Sequence, residues 1–295
     1  MIGWILRSCR GTWWTSFSGL CLRPGPFRNE PISIFSISTG GGEESVKPQR
    51  LGWFQRLLKN RDVTALLAAS AEGSVATEAA LRQMVREINR RDIWEEPLDR
   101  LTYVVFDTET TGFDWRTDAL IEIGAVRVEN GQVREDQTFS SLIALEPGRR
   151  VPEVVRRITG LSEQELWRAP KVQDVLSRFM AFSSDAVLVA HHAGHDVNFL
   201  NVPLNQFYGI ELPRRVVDTA QVARRLWPDS GEATLDYLIE RMAIPPLTRH
   251  RALNDALLTA RIWSVFLTLF TRKGLTKWGE FFTWMKTDVV IGDEY

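Results

Sequence analysis

Residues 103–112 read Tyr-Val-Val-Phe-Asp-Thr-Glu-Thr-Thr-Gly (YVVFDTETTG). Four apolar residues run straight into two carboxylates one residue apart. A buried strand seldom carries unpaired acids unless something there needs their charge. At i and i+2 of a strand, Asp107 and Glu109 project from one face. Crowded carboxylates raise one another's pKa, and a divalent cation that favours hard oxygen ligands, Mg²⁺ or Mn²⁺, relieves them. For this pair taken alone, a strand end emerging into solvent is the alternative.

Outward from that stretch the chain alternates element types. Leu101–Phe106, Ala119–Val128 and Gln132–Leu145 read as strands, and Asn130-Gly131 between the last two is a hairpin signal. Helical patterns fill about 151–157 and 171–182, and Ala186–Ala190 reads as a buried strand. A helix near 196–208, a short strand at Val216–Val217, and helices near 218–226, 234–241 and 252–272 follow. An antiparallel trio followed by strands alternating with helices predicts an α/β fold, a mixed sheet with helices on both faces.

The rest of the chain is read more coarsely. Residues 46–98 have a helical pattern. Trp53, Phe54, Leu57 and Leu58 mark one helix, and Ala79, Leu81, Met84, Val85 and Ile88 mark a second over about 76–91. The pair either packs on the main domain or docks a partner. The segment 273–295 carries Trp278, Phe281, Phe282 and Trp284, as core or as base-stacking surface, and is expected to pack on the domain. Residues 1–45 hold Arg7, Arg10, Arg23 and Arg28 with no acid before Glu30, the composition of a transit peptide or a disordered tail. Gly40-Gly41-Gly42-Glu43-Glu44 back-translates to a purine-rich, ribosome-binding-site-like run ahead of Val46. The expectation is therefore that 1–45 are disordered, or are a leader translated from an upstream start.

Composition excludes some classes. Both cysteines, Cys9 and Cys21, lie near the N-terminus, so the main body has no disulfide framework, thiolate zinc site or thiol nucleophile. No window reaches the roughly 18 consecutive apolar residues of a membrane span. A cytoplasmic protein without a membrane partner is expected. The net charge of -1 makes no electrostatic case for nucleic acid, but a local basic surface can coexist with an acidic site.

Two later segments join the first. His191-His192-Ala193-Gly194-His195-Asp196 follows a predicted strand and opens a helix. His250-Arg251-Ala252-Leu253-Asn254-Asp255 opens the long last one. Helix capping would explain either acid alone. All four histidines of the chain, however, fall in these two segments.

The three motifs FDTETTG, HHAGHD and HRALNDA, in that order, resemble those of the DEDDh (DnaQ-like) 3′–5′ exonuclease family. TDALIEIGAVRVENGQV and VPEVVRRITGLSEQEL resemble its intervening segments, and the likeness covers about 101–272. The resemblance implies a ribonuclease-H-like fold for residues 99–272, with a mixed five-stranded sheet. Its first three strands would be antiparallel and the others parallel, preceded by a small helical extension. It implies phosphodiester hydrolysis with two divalent cations, Mg²⁺ or Mn²⁺, held by Asp107, Glu109, Asp196 and Asp255. Asp107 would bridge both ions, Glu109 and Asp255 would complete the nucleophile's site, and Asp196 would hold the second ion directly or through a water. His250 would be the general base, a role for which an imidazole is suited by type.

The resemblance also extends substrate contacts to Thr110, Thr111, Leu120, Ile121 and His191, with ordinary strand core as the alternative for the two aliphatics. His192 and His195 depart from the family's usual HNAxFD, as phosphate contacts or as packing residues. Proofreading subunits of replicative polymerases, DNA-repair nucleases and RNA-trimming enzymes share these motifs. The implied partner is a nucleic acid 3′ end, single-stranded DNA ahead of RNA, with a DNA polymerase subunit as a further candidate. A catalytically idle binding module is the competing reading, against which all five catalytic-type residues stand. His250 argues against an all-acidic transposase-like enzyme.

Overall fold

The computed structural model describes residues 75–231 and 233–287, all within the unit Arg50–Tyr295. The expected helix at 53–58, the expected leader and residues 288–295 lie outside the described residues.

Helix α1 (Val75–Arg90) precedes three strands, β1 (Tyr103–Thr110), β2 (Leu120–Glu129) and β3 (Gln132–Leu142). Helices α2 (Glu153–Thr159), α3 (Glu163–Trp167) and α4 (Val172–Phe182) lead to β4 (Val187–Ala190). Then come α5 (Gly194–Tyr208), β5 (Val216–Asp218), α6 (Thr219–Leu226), α7 (Leu235–Arg241), α8 (Ala252–Arg272) and α9 (Trp278–Lys286). The five strands form one sheet in the order β3-β2-β1-β4-β5. β1 pairs antiparallel with β2 and β2 with β3, while β1–β4 and β4–β5 are parallel. This is the mixed sheet the sequence predicts.

Some boundaries differ. β1 continues four residues past Phe106, because its ladder with β2 goes on through Asp107↔Gly124 and Glu109↔Glu122 before an irregularity at Glu109/Thr110. The two acids therefore sit inside a strand, not beyond its end. β3 stops at Leu142, three residues short of the expected limit. Helix α3 was not anticipated; its five residues are set by a capping box in which Ser162 and Glu165 satisfy each other's backbone N–H. Helix α9 was also missed, and buries Trp278 and Phe281 at helical spacing.

The alternation of β1 divides the core. Tyr103 and Val105 face a cluster built with Val126, Val128, Val189, Leu258, Trp263 and Phe266. Val104 and Phe106 face the opposite cluster with Ile123, Ala125, Leu188, Phe179 and Leu200. Helix α8 lies across β1, β2 and β3 on the first face. On the second, α1 contributes Leu81 and Met84 beside α4 and α5. Helix α8 is long and apolar enough to cross a membrane by length and composition, and most of its apolar residues are buried.

Candidate active site

β4 and β5 end side by side next to the outer half of β1, and this carboxyl end of the parallel strands carries the chemistry, as is general for open α/β sheets. Residue parity places Asp107 and Glu109 on the α8 face with Tyr103 and Val105. Thr108 then points to the α5 face. One strand thus delivers acids to one helix and a hydroxyl to another.

The start of α8 is brought to β1 by two features of β2. Gly124 lies opposite Asp107 in the ladder. A Cβ there would fall 2.0 Å from the Leu253 nitrogen and 2.2 Å from the Ala252 carbonyl carbon. Only a glycine lets the first turn of α8 rest on the β2 backbone. Two residues earlier, Glu122 is 1% exposed and accepts from the Arg251 guanidinium at 3.0–3.3 Å. Arg251 is the N-cap residue of α8. With the helix end fixed, Asp255 projects from its first turn. Single oxygens of Asp107, Glu109 and Asp255 all lie within 4.8 Å of one another. Three carboxylates at that spacing are a hard-oxygen donor set that fits a divalent cation.

Asp255 is 5% exposed and both its oxygens are engaged: Oδ1 accepts from Arg249 Nε at 2.6 Å, and Oδ2 from the His250 backbone N–H at 2.9 Å. His250 has a φ of 64°, in the left-handed region, and its residue is exposed just ahead of α8. Asp196, 3% exposed in the first turn of α5, accepts from the Thr108 hydroxyl at 2.6 Å. It sits close enough to Asp107 to act on its charge.

Burial pushes the Asp107 carboxyl well above the usual range, and the charges of Asp196, Asp255 and Glu109 add to this while Arg249 opposes it. Glu109 is pushed up to about 8, first by burial and then by Asp255, Glu122 and Asp196, against Arg251. Asp196 rises to about 7 through burial, although the Thr108 hydrogen bond favours its charged form. Such crowding is the electrostatic mark of a cation site.

The Thr219 hydroxyl donates to the Ala190 carbonyl at 3.3 Å, so His191 Nδ1 is the donor in its 2.9 Å contact with that hydroxyl. His191 Nε2 is then a buried acceptor without a partner in the structure. Burial, with His192, Arg249 and Arg224 nearby, drives its pKa down to about 3 and keeps the ring neutral. His195 lies 4.7 Å from the Phe199 ring centroid and 3.4 Å from the Thr110 hydroxyl, which itself donates to the Gly112 carbonyl. His192, at φ 57°, donates its N–H to Asp218, which also caps α6. Thr111 uses its hydroxyl within the turn, donating to Asp118 and accepting from the Ala119 N–H. Leu120 is 8% exposed and borders a groove of about 230 Å³ with Trp115 and Phe199. Ile121 is fully buried in a side cluster with Leu145, Val151, Leu161 and Leu166.

Sequence reasoning passed over four residues. Glu122 and Gly124 were legible as part of IEIGAV, but nothing in a strand pattern says which glycine meets a helix. Arg249 looks like an ordinary loop cation. Phe113 is 91% exposed beside His195, an aromatic left in water at the mouth of the site.

A family model described as exonuclease (RNase T) matches residues 104–263, more than half the chain. This span takes in every carboxylate described above. The chain belongs to the exonuclease family. Among curated relatives, the DNA polymerase III subunit epsilon of Aquifex aeolicus is 35% identical over 162 residues, 55% of this chain and 78% of that one. A PolC-type DNA polymerase III of Thermotoga petrophila is 32% identical over 203 residues, 69% of this chain. The chain spans only 14% of that relative's length. Among solved structures, the nuclease domain of 3′hExo, a DEDDh family member bound to rAMP, superposes with a TM-score of 0.51 at 16% identity. It covers 60% of this chain and 96% of that one, and supports the fold. The family is divalent-metal dependent, and the acidic cluster supplies the matching donors.

Proposed function

We propose that this protein is a 3′–5′ exonuclease that hydrolyses phosphodiester bonds at the 3′ ends of single-stranded DNA in the cytoplasm and releases nucleoside 5′-monophosphates. The observation that carries the reading is the convergence of Asp107, Glu109 and Asp255 within 4.8 Å, with Asp196 held beside them by Thr108. These four would hold two divalent cations, Mg²⁺ or Mn²⁺, which supply Lewis-acid stabilisation of the attacking and leaving oxygens. His250, exposed next to Asp255, accepts the proton of the attacking water. Phe113, with His195 at its edge, offers a face on which the terminal base stacks. Thr110 and Thr111 shape the turn that receives the terminal nucleotide, and Leu120 lies at its apolar edge. The domain would run over 99–272, with 46–98 as a helical extension and 273–295 as a tail. DNA is favoured because the relatives named above are DNA polymerase III components, and a polymerase subunit is the partner this suggests.

The test is shortening of 3′-hydroxyl DNA and RNA oligonucleotides of matched sequence by the purified full chain. Mg²⁺ or Mn²⁺ should support the activity and EDTA should stop it. Asp107→Ala should abolish it, and His250→Ala should lower it by roughly 10²–10⁴-fold. Undiminished cleavage by Asp107→Ala would refute the mechanism, and faster cleavage of RNA would overturn the substrate.

A further inference from the structure

Two arginines stand against the carboxylate cluster. Arg251 is committed to buried Glu122. Arg249 is placed differently. Its Nε donates to Asp255 Oδ1 at 2.6 Å, its Nη1 pairs with Asp236 on α7, and its charge acts on Asp107. Asp236 is 80% exposed and Asp255 is 6% exposed as side chains, so one guanidinium joins a surface anchor to a buried site carboxylate. The loop needs no such link for its own closure, because the His250 N–H already ties it to Asp255 Oδ2.

We infer that Arg249 is an internal counter-ion that competes with a divalent cation for Asp255 and thereby sets the cation affinity of the site. The inference rests on the two-cation reading above. Fixed positive charge beside a carboxylate cluster lowers its attraction for a second cation, and at these distances the effect is large even at an effective dielectric of roughly 20. A cation that draws on Oδ1 also has to break the charge-assisted hydrogen bond from Nε. Asp236 keeps the guanidinium paired when Oδ1 is given up, so release strands no charge. Arg249 is accordingly a positioning residue that acts through Asp255.

The test is calorimetric titration of Mn²⁺ into the full chain without nucleic acid. Arg249→Gln should bind Mn²⁺ roughly ten-fold more tightly than wild type, within the usual range of coupling between sites. Arg249→Lys, which keeps the charge, should stay near wild type. Unchanged or weaker binding by Arg249→Gln overturns the inference, and a rise in KM for the oligonucleotide alone would assign Arg249 to the substrate. If Arg249→Gln fails to fold, arginine side-chain NMR of the wild-type chain decides the matter. Saturating Mg²⁺ should shift the Arg249 Nε–H resonance and speed its exchange with water, and an unmoved resonance overturns the inference. A wild-type chain that binds no Mn²⁺ refutes the two-cation site itself.

Discussion

Gly124→Ala tests how the site is assembled, with no titratable or ligating atom changed. The added Cβ would lie 2.0 Å from the Leu253 nitrogen, where ordinary contact begins at 3.4 Å, so the start of α8 must retreat by about 1.4 Å. The obstructing atoms are helix backbone and cannot rotate aside. Asp255 is one turn into the same helix, so it moves away from Asp107 and Glu109 together with the backbone. Overpacking of this kind costs about 1–3 kcal/mol. For a domain of this size, that lowers the Tm by roughly 2–4 °C per kcal/mol. A displacement near 1 Å at a catalytic group lowers turnover by about 10²-fold. The assay pairs a thermal melt by circular dichroism with the rate of oligonucleotide shortening at saturating Mg²⁺. Wild-type values for both would refute the docking of α8 on the β2 backbone. A large loss of rate with a modest loss of Tm is the expected result.

Two further outcomes follow from the electrostatics. Thr108→Val removes the hydroxyl donor to buried Asp196 and should destabilise the fold by about 1–3 kcal/mol in chemical denaturation. Because that bond favours ionised Asp196, the acidic limb of the pH–rate profile should also move to higher pH, and a profile that stays in place counts against the contact. Glu109 and Asp196 have folded-state pKa values of about 8 and about 7, above their unfolded values near 4. Their contribution to stability is therefore full below about pH 4 and is lost as pH rises through about 7–8. In EDTA the Tm should fall between pH 5 and pH 9, and Mg²⁺ should raise it more at pH 9 than at pH 5. Equal Mg²⁺ increments at both pH values would contradict the crowding of these carboxylates.

The antiparallel run of the first three strands and the shared face of the first two acids were legible because they depend on short-period patterns. Asn130-Gly131 marks the β2–β3 turn, and the i, i+2 spacing of Asp107 and Glu109 places both on one side. The length of β1 was not legible. Acids disfavour a strand locally, and only the ladder to Gly124 and Glu122 carries it through them. The role of Gly124 was hidden for a related reason. A glycine in a strand pattern reads as a weak point, and its meaning lies in a helix that begins 128 residues later. Arg249 was illegible because its two carboxylates lie on α7 and α8, 13 and 6 residues away, at spacings that no local pattern marks. Glu122 and Arg251, 129 residues apart, present the same difficulty.

That separation also governs when the cluster can exist during synthesis. A chain leaves the ribosome from its N-terminus, and contacts between distant segments close late and slowly. Asp107, Glu109 and Thr108 emerge early, and Asp196 joins Thr108 across 88 residues. Asp255 arrives only with α8, whose seat on Gly124 and tie to Glu122 both await it. A stalled or truncated nascent chain therefore carries the sheet without its last carboxylate. Assembly of the cluster therefore waits until translation has passed the start of α8.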